Sequence, residues 1–227
     1  MDYQSSKNHS LSNSLSSSTN LRILIDKVIS FLPDIYSLEF EIAQFHFQRY
    51  VLDSFRNAQD SSEEGFFIDE LFVTISLAQL NQNTFHYLIL LASLLDVDLG
   101  DKVSKANRIA RDLANIQLDP NPLIYKLLKK ILLWLNKTLQ NSIQFIINPL
   151  LAMGWSFCCT TEYDKKISGL LLIRLFMKNF SIYLENQHSQ IQDIIIENVK
   201  SHTSEVRIAT LKFLKSYLSF ATSLRRN

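Results

Sequence analysis

Two stretches of this chain fall on one another at a spacing of 41 residues. Asp164-Lys165-Lys166-Ile167-Ser168-Gly169-Leu170 lies over Glu205-Val206-Arg207-Ile208-Ala209-Thr210-Leu211. Acid meets acid, Lys166 meets Arg207, Ile167 meets Ile208 and Ser168 meets Ala209; further on, Ile173 meets Leu214 and Phe176 meets Tyr217. Each stretch follows a shorter apolar segment, "IINPLLAMGWSF" before the first and "IQDIIIENV" before the second. A unit of two helices joined by a tight polar turn cannot bury its apolar side alone, so such units must stack. The acid in the first turn favours the helix dipole. The basic residue two positions on can reach acids or carbonyls at the neighbouring unit's turn. The small residue (Ala209, Ser168 or Gly169) lets the paired helix pack close.

The remainder of the chain also reads as helix. Apolar residues at Leu21, Leu24, Ile25, Val28, Ile29 and Leu32 keep helical spacing, with Asn20 as N-cap and Pro33 as stop. "DIYSLEFEIAQFHFQRYVLDSFRNA" is a second helix, "QDSSEEG" a polar loop, and "FFIDELFVTISLAQL" a third helix ended by "NQNT". "FHYLILLASLLDV" is apolar nearly all round and should be central. "DLGDKVSKANRIARDLANI", then "LIYKLLKKILLWLNKTLQ" after the two-proline turn "QLDPNP", continue the pattern. In the latter, Leu123, Leu127, Ile131, Trp134 and Leu135 are expected on the buried side. Pro149 should kink or restart the helix that contains it. Only 4 glycines and 4 prolines occur in 227 residues, too few for the turns of a sandwich or of an α/β enzyme. Residues 1–20 are dominated by Ser and Asn and are expected to be a disordered tail. Residues 21–227 are expected to form a single helical-repeat domain, with its clearest repeats at 146–180 and 190–220.

The acid-x-basic opening of the second helix and the spacing of about 40 resemble the HEAT-type helical-repeat family, over residues 146–220. This resemblance implies an all-α fold, a right-handed α-solenoid of antiparallel helix pairs (HEAT/armadillo-like) with degenerate N-terminal units. Its motif positions here are Asp164, Lys166, Glu205 and Arg207. Within that family, "DKKISGLLLIRLFMKNF" resembles a unit of the smaller Tel-Two-interacting subunits of triple-T cochaperone complexes. That resemblance implies a role in maturing PI3-kinase-like kinases alongside an Hsp90 system.

Chemistry is sparse. The histidines His9, His46, His86, His188 and His202 form no H-x-x-x-H pair, and the only cysteines, Cys158 and Cys159, have no C-x-x-C partner. Adjacent cysteines rarely bond to one another, so both are expected to be free, largely buried thiols of a reducing compartment. No phosphate-binding glycine loop or nucleophile elbow is present. Asp96, Asp98 and Asp101 read as a cap and turn. The sequence therefore implies no catalytic residue, no metal and no cofactor.

Net charge is +1, so no global field draws nucleic acid or anionic membrane. Locally, Lys102, Lys105, Arg108 and Arg111 recur every three residues and form a slanted stripe on a helix. With Lys126, Lys129, Lys130 and Lys137 they offer a basic face for phosphates or an acidic peptide. Tyr217 and Phe220 leave apolar groups near the end of the second repeat; either the array folds over that end or a partner covers it, so residues 204–220 are the first place to expect an interface. No apolar run reaches the roughly 18 residues of a membrane span, and the N-terminus lacks the apolar region of a secretory signal. A location in cytoplasm or nucleus is expected. These features point to a non-enzymatic scaffold that binds other proteins; the triple-T resemblance implies a cochaperone subunit of a larger complex, with kinases and chaperones among its partners. The alternatives are a DNA-repair, meiotic or chromatin-associated factor contacting nucleic acid through the basic face, and a nuclear-transport adaptor.

Overall fold

The computed structural model describes residues 20–31, 37–60, 63–81, 84–113 and 116–224. These residues hold ten α-helices and no strand, so the fold is all-α. The helices are α1 (20–30), α2 (Leu38–Asp60), α3 (Glu64–Asn81), α4 (Thr84–Leu94) and α5 (Lys102–Leu113), then α6 (Pro122–Leu139), α7 (Gln144–Cys158), α8 (Tyr163–Asn179), α9 (His188–Val199) and α10 (Ser204–Leu224). Pro33 and the tail through residue 19 lie outside the described residues. The periodicity suggests one domain over 21–227; the described chain gathers into two compact units, one through Lys102 and one from Val103.

In the first unit α2 packs on α3 and α4, and α3 packs on α4. Ser37 Oγ accepts from the Phe40 N–H at 3.1 Å and caps α2. Phe40, Ala43, Phe47, Val51, Phe55 and Ala58 then make its buried face, at spacings of three and four. Nearly every side chain of α4 is buried, as its all-round apolar sequence predicts. A polar clasp ties α2 to this apolar helix. Gln44 Nε2 donates to Ser93 Oγ at 2.6 Å, Gln48 Nε2 donates to the Ser93 carbonyl at 2.7 Å, and Ser93 Oγ donates to the Ile89 carbonyl at 2.8 Å. After α4 the chain turns at Gly100, whose φ of +72° favours glycine. A Cβ there would lie 3.1 Å from Glu64 Oε1 and 3.2 Å from Phe55 Cζ.

In the second unit α8 packs against α6, α7 and α10, and α9 packs on α10. Pro122 opens α6, where its missing N–H costs nothing, and Asn121 Oδ1 accepts from the Leu123 N–H at 3.0 Å. The buried side of α6 is Ile124, Tyr125, Leu128, Ile131, Leu132, Leu135 and Leu139. The expected stripe holds for Ile131 and Leu135, whereas Leu123, Leu127 and Trp134 are only half-buried. Pro149 does not restart a helix. It sits exposed in the second turn of an α7 that runs unbroken from Gln144 to Cys158.

The α7–α8 contact is a close crossing. A Cβ on Gly169 would lie 2.7 Å from Cys158 N and 2.7 Å from Gly154 O, both backbone atoms. The small residue expected to admit the partner helix is therefore Gly169, with Ser168 buried beside it. The 41-residue register is structural as well as sequential. Tyr163 and Ser204 begin α8 and α10, and Cys158 and Val199 end α7 and α9, at the same spacing. Burial follows it too: Gly169 and Thr210, Leu172 and Phe213, Leu175 and Ser216, and Phe176 and Tyr217 are all buried. Burying Phe176 and Phe213, both fully covered, stabilises the unit by about 1.5–3 kcal/mol each.

Two expectations are corrected here. Tyr217 and Phe220 do not form an open interface. They are 8 % and 3 % exposed, because the N-terminus of α9 closes over them. His188 stacks on Phe220 with ring centroids 5.3 Å apart, and Gln192 Nε2 donates to Tyr217 Oη at 3.1 Å. The two cysteines are free, as expected, but only Cys158 is buried; Cys159, one residue past the end of α7, is exposed.

Candidate binding groove

Asp164 and Glu205 both sit exposed in the first turns of their helices, where a carboxylate complements the dipole. Glu205 is held below the usual glutamate range by a hydrogen bond to its own backbone N–H, and secondarily by Ser204, whose Oγ donates to Glu205 Oε2 at 2.9 Å. The two basic motif residues behave differently. Lys166 Nζ crosses from α8 to α9 and pairs with Glu197 Oε1 at 3.4 Å. Arg207 instead folds back on the turn before its own helix, where Nη1 donates to the carbonyls of Ser201 at 2.7 Å and His202 at 2.9 Å. Lys166 thus reaches an acid in the last turn of α9 and not the turn that follows it. Arg207 ties its own turn, since α10 begins only two residues beyond His202.

The expected basic stripe is interrupted. Lys102 and Arg111 are exposed and Arg108 is half-buried, but Lys105 is 6 % exposed. Its Nζ lies 5.1 Å from the centroid of the Trp134 ring, a cation–π contact that takes it out of the solvent-facing row. Lys126 and Lys130 are exposed on α6.

The structure brings other residues together. A groove of about 220 Å3 runs between α8 and α10, against the turn that leads into α6. Ile167, Leu170, Leu171, Ile208 and Ala209 line it, Pro120 and Pro122 close one side, and Glu205, Arg174 and Lys212 stand at its edges. Residues advance in the same direction on both helices: Ile167 shares the groove with Ile208, and farther along Arg174 Nε donates to Ser216 Oγ at 3.0 Å. The volume is below the roughly 300–1,000 Å3 of small-molecule sites, and the lining is mostly aliphatic. A space of this size and lining holds one or two apolar side chains.

At the far end of the groove lies a cationic cluster. Lys178 is held below the usual lysine range, first by Arg174, then by partial burial, and then by Lys129 and Lys215. Of the motif residues singled out in the sequence, only Glu205 lines the groove. A signal for the cluster was present: the 41-residue register pairs Arg174 with Lys215. That pair is passed over when the register is read through apolar positions alone. Among the described residues no three His, Cys, Asp or Glu side chains are grouped to hold a metal ion, and no helix is long and apolar enough to cross a membrane. No family model, curated protein or solved structure matches the chain.

Proposed function

We propose that this chain is a non-enzymatic protein-binding scaffold, a HEAT-like α-solenoid segment that receives partners along α8 and α10. The observation that carries this reading is the open aliphatic groove between two helices related by the 41-residue spacing. Second helices of stacked pairs lie side by side in a solenoid and present a continuous surface to partners. The contacts α7 with α8, α9 with α10, and α8 with α10 support that arrangement. Ile208 is 52 % exposed on the groove wall, a position where an aliphatic side chain contributes little to folding and much to docking.

The test is affinity capture of the full chain from cells, followed by mass spectrometry, beside the Ile208→Asp variant. Proteins retained by the wild type and lost from a folded Ile208→Asp variant support the scaffold reading. The kinase-maturation role implied by the triple-T resemblance predicts that a large PI3-kinase-like kinase and chaperones stand among them. An identical set on both proteins overturns docking at this groove.

A further inference from the structure

We propose that the α8/α10 groove docks a short acidic amphipathic helix, whose apolar side chains seat on Ile167, Leu171 and Ile208 and whose carboxylates meet Arg174, Lys178, Lys212 and Lys215. This rests on the scaffold reading and names the chemistry of its partner.

Charge decides the occupant. The groove has two unlike ends. Glu205 stands at the N-terminal end, and Arg174 and Lys212 stand one to two turns farther along. Lys215 and Lys178 continue the same direction, at one-turn spacing from Lys212 and Arg174. None of the four cations is ion-paired among the described residues. Lys178 lies in the last turn of α8, where its own helix dipole is complemented by a cation. Arg174, Lys212 and Lys215 lie inside their helices, where no dipole calls for them. Like charges brought this close along two adjacent helices repel one another, and Arg174 first, then partial burial, then Lys129 and Lys215 hold Lys178 below the usual lysine range. A carboxylate-bearing partner relieves that repulsion, and Glu205 fixes its polarity by repelling acids at the opposite end.

Shape and lining favour a peptide over a nucleic acid. From Ile167 to Lys178 the groove and its cationic end span about 17 Å at 1.5 Å per residue, the length of a three-turn helix. An aliphatic floor between two helices accepts the i, i+3, i+4 face of such a helix. A single-stranded nucleic acid would need aromatic platforms for its bases, and no aromatic residue lines the groove.

The test is selection of random 16-residue peptides displayed on phage against the full chain, read by sequencing. Three proteins are used: the wild type, Ile208→Asp, and Lys178→Glu with Lys215→Glu. All three substituted residues are exposed, and circular dichroism verifies folding; Lys178→Gln with Lys215→Gln replaces the reversal if it misfolds. The expected result is enrichment of sequences rich in Glu and Asp toward one end, with apolar residues at helical spacing. A synthetic peptide of that kind should lose at least tenfold in affinity on either variant, and should weaken as salt rises. Enrichment of neutral or basic sequences that still depend on Ile208 overturns the acidic partner and leaves the scaffold reading standing. Failure of any sequence to depend on Ile208 overturns both. A random oligonucleotide whose binding is lost on Lys178→Glu with Lys215→Glu but kept on Ile208→Asp overturns the proposal in favour of phosphate recognition.

Discussion

Cys158 and Cys159 are neighbours in sequence and differ in environment. Burial, with Cys159 adding to it, pushes the Cys158 thiol above its ordinary range, so little reactive thiolate forms. Cys159 is exposed. A thiol reagent should therefore titrate one cysteine in the native protein and both in denaturant, and Cys159→Ser should abolish the native reaction. Two native thiols of equal rate would refute the burial of Cys158. Gly100 and Gly65 make a second contrast. Gly100→Ala should destabilise by about 1–2 kcal/mol, the cost of the left-handed backbone to an L side chain, because φ is +72° and Phe55 stands close. Gly65 lies inside α3 with nothing within 4 Å of a Cβ, so Gly65→Ala should be neutral or stabilising by up to about 1 kcal/mol. Denaturant midpoints of the two variants measure this directly. Glu205 adds a pH effect whose sign is fixed. A carboxylate depressed below its unfolded value of 4.5 contributes stability that is fully present above that pH and is lost as pH falls through the folded value. Glu205→Gln should flatten the acid limb of the stability profile below pH 4.5, and should leave the neutral region unchanged in shape.

At the scale of the element, the α7–α8 crossing depends on its glycines. A Cβ on Gly169 meets backbone atoms of α7, which cannot move without moving the helix, whereas a Cβ on Gly154 meets the Ile173 Cδ1 end of a side chain. Gly169→Ala should cost about 2–3 kcal/mol and Gly154→Ala less than about 1.5 kcal/mol, following the usual range for overpacking. Equal costs in thermal or chemical unfolding would show that the crossing is not limited by backbone contact. This crossing also marks what the sequence made legible. Small residues at 168–169, the turn acids and the 41-residue period are local signals, and each has a structural counterpart. The phase of α6 was not legible, because leucines occur all around it: Leu123, Leu127 and Leu133 stay partly or largely open while Leu128, Leu132 and Leu135 are covered. Only the positions of neighbouring helices select the buried side. The same reason hides Lys105, whose aliphatic stem can snorkel over Trp134 although its spacing alone puts it in an exposed row. For Tyr217 and Phe220 the sequence leaves open whether the fold or a partner covers them, because the residue that covers Phe220, His188, is 32 positions away from it on another helix.

At the scale of the molecule, the second compact unit carries exposed apolar side chains besides those of the groove. Leu170 of α8 is 1 % exposed where α10 lies alongside it, whereas Leu211, its counterpart 41 residues on, is 56 % exposed. Leu218 on α10 and Ile196 on α9 are open to a similar degree. The contact with α10 thus covers Leu170, and among the described residues Leu211 has no such cover. Net charge is only +1, so little long-range repulsion keeps such surfaces apart. Leu211 and Leu218, seven residues apart, share one face of α10, and exposed apolar side chains grouped in this way mark an interaction surface or an association hazard. Leu211→Ser with Leu218→Ser should therefore reduce bis-ANS fluorescence and lower the sedimentation-averaged mass at high concentration. Because both leucines are already hydrated, the unfolding free energy should change by no more than about 0.5 kcal/mol, as for ordinary surface substitutions. A loss of several kcal/mol would mean that both side chains are covered in the folded protein, and that the stacking surface on α10 is already occupied.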